Sequence, residues 1–482
     1  KGIQVTLRIF EESSKESLFF NGDKYKGVSI REYLSIQRGF NHIVCLVEGE
    51  YLDETRYEQD NNKINYVRKV DVKPIGYFSS GLFTDGIKLM PMIKDSAFLL
   101  KEEQIKQIYS QNASNDFIIG EMLKEEIPVS LPWQSLFNSH IGIFGNTGSG
   151  KSNTLAKLYT TLFDQKSALM KGKSNFVLLD FNGEYIKDQL LSGDDKEIYN
   201  LNSKKEKGVK KYPLKDCEFW EIDTLCLLFK ATQNTQRPFI DRIIKGKVKY
   251  QEEGSLLHYV KSIFRRTFTS ASPKPETLDL LRRIIRFINC DDLSEKLNNI
   301  QWHSGQSKFI GNNGYYDADG THYDASLYTE VNAIDLNQLT PFDELIIRVN
   351  LQLISDVLFG YVQFEHIQPL LKRIEVSLGS LENVLNIVDE PPEMKLLTVI
   401  SLRRCNQDIK KILPLLLAKH YYNNHKNSVA NPPNKTIHLI IDEAHNVLSQ
   451  QSTREQETWK DYRLELFEEI IKEGRKFGIY LT

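Results

Sequence analysis

The sequence predicts an α/β protein: a parallel-sheet domain carrying a helical insertion, preceded by an N-terminal β-barrel. Three observations predict it. A glycine-rich phosphate-loop pattern lies between an apolar run and a helical run at residues 140–159. After Ser139, apolar strand-like runs alternate with stretches of helical periodicity, which is the pattern of βαβ units. Before residue 135, short alternating runs are separated by turn signals at the spacing of a small barrel or sandwich.

Taken in order, residues 1–135 read as the barrel. Its strands are Gln4–Phe10, Ile43–Val47, Tyr66–Val72 and Phe117–Ile119, with turns at Asn21-Gly22-Asp23, Asp60-Asn61-Asn62 and Asp85-Gly86 and one helix at Lys101–Gln111. A barrel of this size suits a nucleic-acid module or a structural collar. The interleaved aromatic and basic residues of the former are missing, which favours the collar. Residues 136–482 read as the parallel-sheet domain. Its strands are Ile141–Phe144, Asn175–Asp180, Leu396–Leu402, Thr436–Asp442 and Phe477–Thr482, and Val331–Leu336 is either a core strand or an edge hairpin. Residues 187–320 carry helical periodicity, as in Leu256–Arg266 and Glu276–Ile288, over a stretch too long for a connection, so they read as an inserted helical subdomain.

Composition excludes several classes. With 482 residues, 40% hydrophobic and 26% charged, the chain has room for two or three domains with large cores. A net charge of −2 supplies no general attraction to nucleic acid, so any such contact must be a local patch. Lys204–Lys211, Lys245–Lys249, Arg265 and Arg266 are candidates, although each reads first as a solvated face. The five cysteines (Cys45, Cys217, Cys226, Cys290, Cys405) are scattered and lack metal-site spacing, which suits reduced thiols in a cytoplasm. The apolar run Ile412–Ala418 is typical and is far too short to span a bilayer, so no membrane partner is expected. The chain opens on Lys1 and stops at Thr482 inside an apolar run, and so reads as a fragment.

Two motifs carry chemistry. Gly145-Asn146-Thr147-Gly148-Ser149-Gly150-Lys151-Ser152 fits G-x-x-x-x-G-K-[ST] at every position, and Asn153 opens the helix after it. The glycines let backbone N–H groups turn inward on phosphates, Lys151 reaches the β/γ-phosphates and Ser152 binds Mg²⁺. ATP and Mg²⁺ are therefore the expected cofactors. In Ile437–His445 an apolar strand ends in Asp442-Glu443, a Walker B element: Asp442 for the Mg²⁺ shell, Glu443 as the base that polarises water. Asp180 and Glu184, in DFNGEY, either tune the metal or water or simply build a turn and a helix start. Arg475, in EGRKFG, has the position of a charge-stabilising arginine, but surface arginines are common.

GNTGSGKSNT, DFNGEY, LIIDEAHNVL and EGRKFG, in this order, resemble the HerA branch of the HerA/FtsK ATPases, and Phe117–His140 resembles the exit from that family's N-terminal barrel. The resemblance implies a RecA-like P-loop domain in a homohexameric ring that hydrolyses ATP and translocates double-stranded DNA. It implies phosphate and Mg²⁺ roles for Lys151 and Ser152, a Walker B pair in Asp442 and Glu443, an acidic segment in Asp180 and Glu184, and a trans-acting arginine in Arg475. It also implies an effector partner, such as a nuclease or, in bacterial antiviral systems, a sirtuin-like NADase. The family's polar segment after the last strand is not in this sequence. A competing reading keeps every motif but makes the ring a nucleotide-regulated scaffold that gates its partner. A DEAH-type helicase rests on Asp442–His445 alone, and a conjugation or secretion ATPase is nearer kin.

Overall fold

The structure, a computed structural model, describes residues 5–13, 15, 17–56, 64–109, 117–121, 128–249, 252, 254–288, 290–312, 314–448 and 457–482. The turn expected at Asp60–Asn62 and the end of the helix expected at Lys101–Gln111 lie outside them. The chain divides into two compact units, residues 1–137 with 157–165 and residues 138–156 with 166–482.

The first unit is built on an antiparallel sheet. Its order is Val5–Arg8, Ile64–Ser79, Asn41–Arg56, Tyr33–Arg38 and Ala97–Leu99, with Leu82–Asp85 also paired to Ile64–Ser79. Among the described residues these pairings form an open path, with no bond between Val5–Arg8 and Ala97–Leu99, so the expected barrel is not closed there. Alternation along the long strands sends Ile43, Cys45, Val47, Val70 and Val72 to one core. Val44 and Phe78 go to the other face, where the helix Glu102–Tyr109 covers them with Ile105 and Ile108. A separate hairpin, Ser17–Phe20 with Asp23–Lys26, turns at Asn21 and Gly22, both at positive φ. In the same unit Phe117, Phe137 and Tyr159 stack edge to face at 5.6 and 5.5 Å.

The second unit is built on a five-stranded parallel sheet in the order Lys196–Asn202, Leu397–Arg404, Ser174–Asp180, Thr436–Ile441, Ile479–Leu481. Phe176, Val177, Leu178 and Leu179 are all buried, as a continuous apolar run requires when helices cover both faces. Lys196–Asn202 is a sheet strand inside the stretch that read as helical. Its polar residues hide the pattern, because only Tyr199 and Leu201 are apolar and buried while Lys196 turns its ammonium onto the Gln189 carbonyl at 2.7 Å. Helices Gln236–Lys249, Ser255–Phe268, Pro275–Ile285, Pro341–Leu358 and Phe364–Val384 share one core with the sheet.

Two strand expectations fail. Val331–Leu336 is not a strand: Leu327, Val331 and Ile334 are buried at helical spacing around the short helix Tyr328–Asn332. Ile141–Phe144 is not a strand either. Ile141 donates to the Leu481 carbonyl at 2.9 Å, and Leu481 donates to His140 Nδ1 at 3.0 Å, but Phe144 is 93% exposed. The run lies alongside a strand only three residues long, so the ladder ends at Ile141.

Candidate functional site: a phosphate loop facing an acidic strand edge

The phosphate loop leads into the helix Lys151–Met170. Gly145 is required by close approach, since a Cβ there would lie 2.2 Å from Ser149 Oγ. Lys151 Nζ donates to the Asn146 carbonyl at 3.0 Å, folding the ammonium back over Asn146, Thr147, Gly148, Ser149 and Gly150. Ser149 N–H closes the loop onto the Asn146 carbonyl at 3.1 Å. Ser152 is half-buried on the first helical turn, with Asn153 exposed beside it.

Asp180 and Asp442 end neighbouring strands, since Leu179 pairs with Ile441 in register. Asp180 is fully buried, and its carboxylate closes the following turn. Oδ1 accepts from the backbone N–H of Gly183 at 2.7 Å and of Glu184 at 3.1 Å, and Oδ2 accepts from that of Tyr185 at 3.1 Å. Gly183 sits at φ 77°, and a Cβ there would lie 2.8 Å from Arg403 Cδ. The turn delivers Tyr185, buried, to a long 3.5 Å contact from its hydroxyl to the Ser152 carbonyl, and burial with Asp442, Glu184 and Asp180 nearby pushes that phenol up. The geometry therefore gives Asp180 the turn-building role, and Glu184 is the acid the turn presents.

Asp442 is buried. Its Oδ1 accepts from Glu443 N–H at 3.1 Å, while Oδ2 has no hydrogen-bond partner among the described residues. Burial first, then the carboxylates of Glu184 and Glu443, push its carboxyl up to about 6. Such an oxygen fits a divalent cation. Mg²⁺ takes one or two protein oxygens and completes its shell with phosphates and water. Asp442 and the Ser152 hydroxyl are the residues that would hold it. Glu443 follows at φ 55°, a left-handed backbone that costs a non-glycine residue about 1–3 kcal/mol. Asn446 holds this turn, its backbone N–H and its Nδ2 both donating to the Glu443 carbonyl, at 3.0 and 3.1 Å. Sequence reasoning missed Tyr185, Asn446 and His445, whose Nδ1 lies 3.1 Å from Glu443 Oε2. Only their closeness to the two motifs signalled them.

Arg475 is not brought to this cluster. It is exposed on the short turn Gly474–Phe477, ahead of the strand Ile479–Leu481. Ile479 pairs with Ile437, and Asp442 lies five residues further along that strand, about 17 Å at ~3.3 Å per residue. Several of the candidate basic residues are engaged. Lys245 pairs with Asp241 at 2.6 Å, Lys247 with Glu344 at 3.3 Å, and Arg265 with Asp324 at 3.0 Å. Lys210 pairs with Glu197, and Arg266 lies 5.0 Å over the Phe359 ring.

Phosphate loop, parallel sheet and a strand ending in Asp442-Glu443 define a protein of the P-loop nucleotide-binding fold class. Residues 117–310 match the family described as the central domain of helicase HerA. Over 147 residues the chain is 31% identical to the DNA double-strand break repair helicase HerA of Saccharolobus solfataricus, covering 30% of this chain and 25% of that protein. Over 203 residues it is 27% identical to the probable helicase MJ1565 of Methanocaldococcus jannaschii, covering 41% of this chain and 35% of that one. Among solved structures, the plasmid coupling protein TrwB with a non-hydrolysable GTP analogue aligns over 80% of this chain and 70% of its own, at 13% identity and a TM-score of 0.37. Over residues 117–310 the chain is thus similar to the HerA helicases. Its matches to the two curated relatives span 25% and 35% of their lengths, and the family match ends ahead of Asp442.

Proposed function

We propose that this chain is an ATP-driven motor that hydrolyses ATP with Mg²⁺ and translocates double-stranded DNA as a homohexameric ring, in the cytoplasm, beside an effector such as a nuclease or a sirtuin-like NADase in antiviral defence. The observation that carries the catalytic part is the buried, unpartnered Asp442 Oδ2 next to Glu443, on the strand edge whose Asp180 turn reaches Ser152 through Tyr185. In this reading Lys151 and the loop N–H groups bind the β/γ-phosphates, Ser152 and Asp442 hold the metal, and Glu443 takes a proton from the attacking water. Bound Mg²⁺ supplies charge neutralisation at the transferring phosphoryl group.

The DNA part rests on the relatives, described as helicases. We assign residues 1–135 the role of ring collar and residues 136–482, with the 187–320 insertion, that of the motor. No helix among the described residues is long and apolar enough to cross a membrane.

The test is ATP turnover with and without duplex DNA, in wild type, Lys151→Ala and Glu443→Gln. Lys151→Ala is expected to lose ATP binding, and Glu443→Gln to bind ATP and keep it uncleaved. DNA is expected to stimulate the wild type, with a steep loss of binding as salt rises. Turnover indifferent to DNA would favour the scaffold ring, and a Glu443→Gln enzyme at wild-type rate would refute the base.

A further inference from the structure

The carboxylate of Glu443 has a neighbour to which the proposed chemistry gives no role. His445 Nδ1 lies 3.1 Å from Glu443 Oε2, while the His445 side chain is 71% exposed and contributes nothing to the core. Three features aim the pair. The left-handed backbone of Glu443 turns the chain at the end of its strand. Asn446 fixes the Glu443 carbonyl with two hydrogen bonds. The first turn of the helix His445–Leu448 then brings the imidazole back toward the carboxylate two residues earlier. A base oriented by a third group is the arrangement that activated water and nucleophiles generally need.

We propose that His445 is a positioning residue for Glu443. Its Nδ1–H donates to Oε2 and so turns Oε1 toward the water that attacks the γ-phosphate. Water oxygen bonds to phosphorus as the bond to the ADP oxygen breaks. One water proton goes to Oε1 and leaves to solvent with the release of phosphate. His445 itself touches neither nucleotide nor metal. The inference rests on the reading of Glu443 as the base.

The experiment uses the full chain and measures steady-state turnover with Mg·ATP. His445→Ala is expected to lower kcat roughly tenfold, a part of the ~10²–10⁴ that a general base contributes, with KM unchanged. His445→Asn, whose amide nitrogen stands near the place of Nδ1, is expected to restore most of the loss. His445→Gln, whose nitrogen stands near the place of Nε2, is expected not to. On a Glu443→Gln background, His445→Ala should add nothing, because its effect passes through the carboxylate. His445→Ala within about twofold of wild type, equal rescue by Asn and Gln, or a further loss on the Glu443→Gln background would each overturn the assignment. Glu443→Gln at wild-type turnover overturns the base reading and this inference with it. An inactive Glu443→Gln beside a wild-type-like His445→Ala overturns this inference alone.

Discussion

Asp180 Oδ2 accepts the backbone N–H of Tyr185 at 3.1 Å, and this bond completes the turn that places the Tyr185 ring beneath the first turn of the phosphate-loop helix. A buried carboxylate with three N–H donors needs no cation to be satisfied. Its job is architectural, and its loss should be felt first as instability.

Asp180→Ala leaves three backbone N–H groups without their acceptor inside the protein. We expect a loss of roughly 3 kcal/mol or more in chemical denaturation, with nucleotide affinity falling as the turn loosens. A variant as stable as wild type would show that the turn holds itself.

Asp442 should behave in the opposite way. Its carboxyl is raised to about 6 by burial and by Glu184 and Glu443, so above that pH the folded protein carries a charge it would rather not hold. Asp442→Asn should therefore stabilise the nucleotide-free protein, on the order of 1–3 kcal/mol above about pH 6, the gain vanishing below about pH 4. The same variant should lose hydrolysis. A destabilised variant would show that the carboxylate is held by favourable contacts after all.

His438 lies stacked 4.3 Å from Phe176, with the Tyr480 ring tilted against it at 5.2 Å, and burial pushes its imidazole down to about 3. It is neutral in the fold, while in the unfolded chain it gains a proton below about 6.5. The stability present above pH 6.5 is therefore lost as pH falls toward 3, at about 1.4 kcal/mol per unit for this one proton. His438→Phe keeps an aromatic stack and should flatten the slope of stability against pH between 6.5 and 4 by one proton. Equal slopes would place the acid sensitivity elsewhere.

Arg475 sits in the turn ahead of Ile479, whose partner Ile437 lies about 17 Å along its strand from Asp442, so any catalytic role is expected in trans. Arg475→Ala should bind ATP yet hydrolyse it about 10³–10⁵ times more slowly. Mixing it with Lys151→Ala subunits, themselves inactive, should recover activity where an intact loop meets an intact arginine. Wild-type turnover by Arg475→Ala alone would end the idea.

Much of this was legible along the chain. Thr436–Ile441 and Ser174–Asp180 are readable because strands buried on both faces need unbroken apolar runs, and the phosphate loop because phosphate contact fixes the residue type at Gly145, Gly150, Lys151 and Ser152. Lys196–Asn202 was not legible, since it mixes polar residues that find partners only across the fold.

The sequence by itself determined which residues could meet phosphate and metal, because those chemistries demand particular side chains at fixed spacing. Only the tertiary structure decided how they share the work. It put both oxygens of Asp180 on its own turn, left one oxygen of Asp442 bare among the described residues, and set Arg475 in the turn ahead of the strand Ile479–Leu481. Those outcomes depend on strand register and on which backbone groups lie within about 3 Å, and neither is encoded at short range.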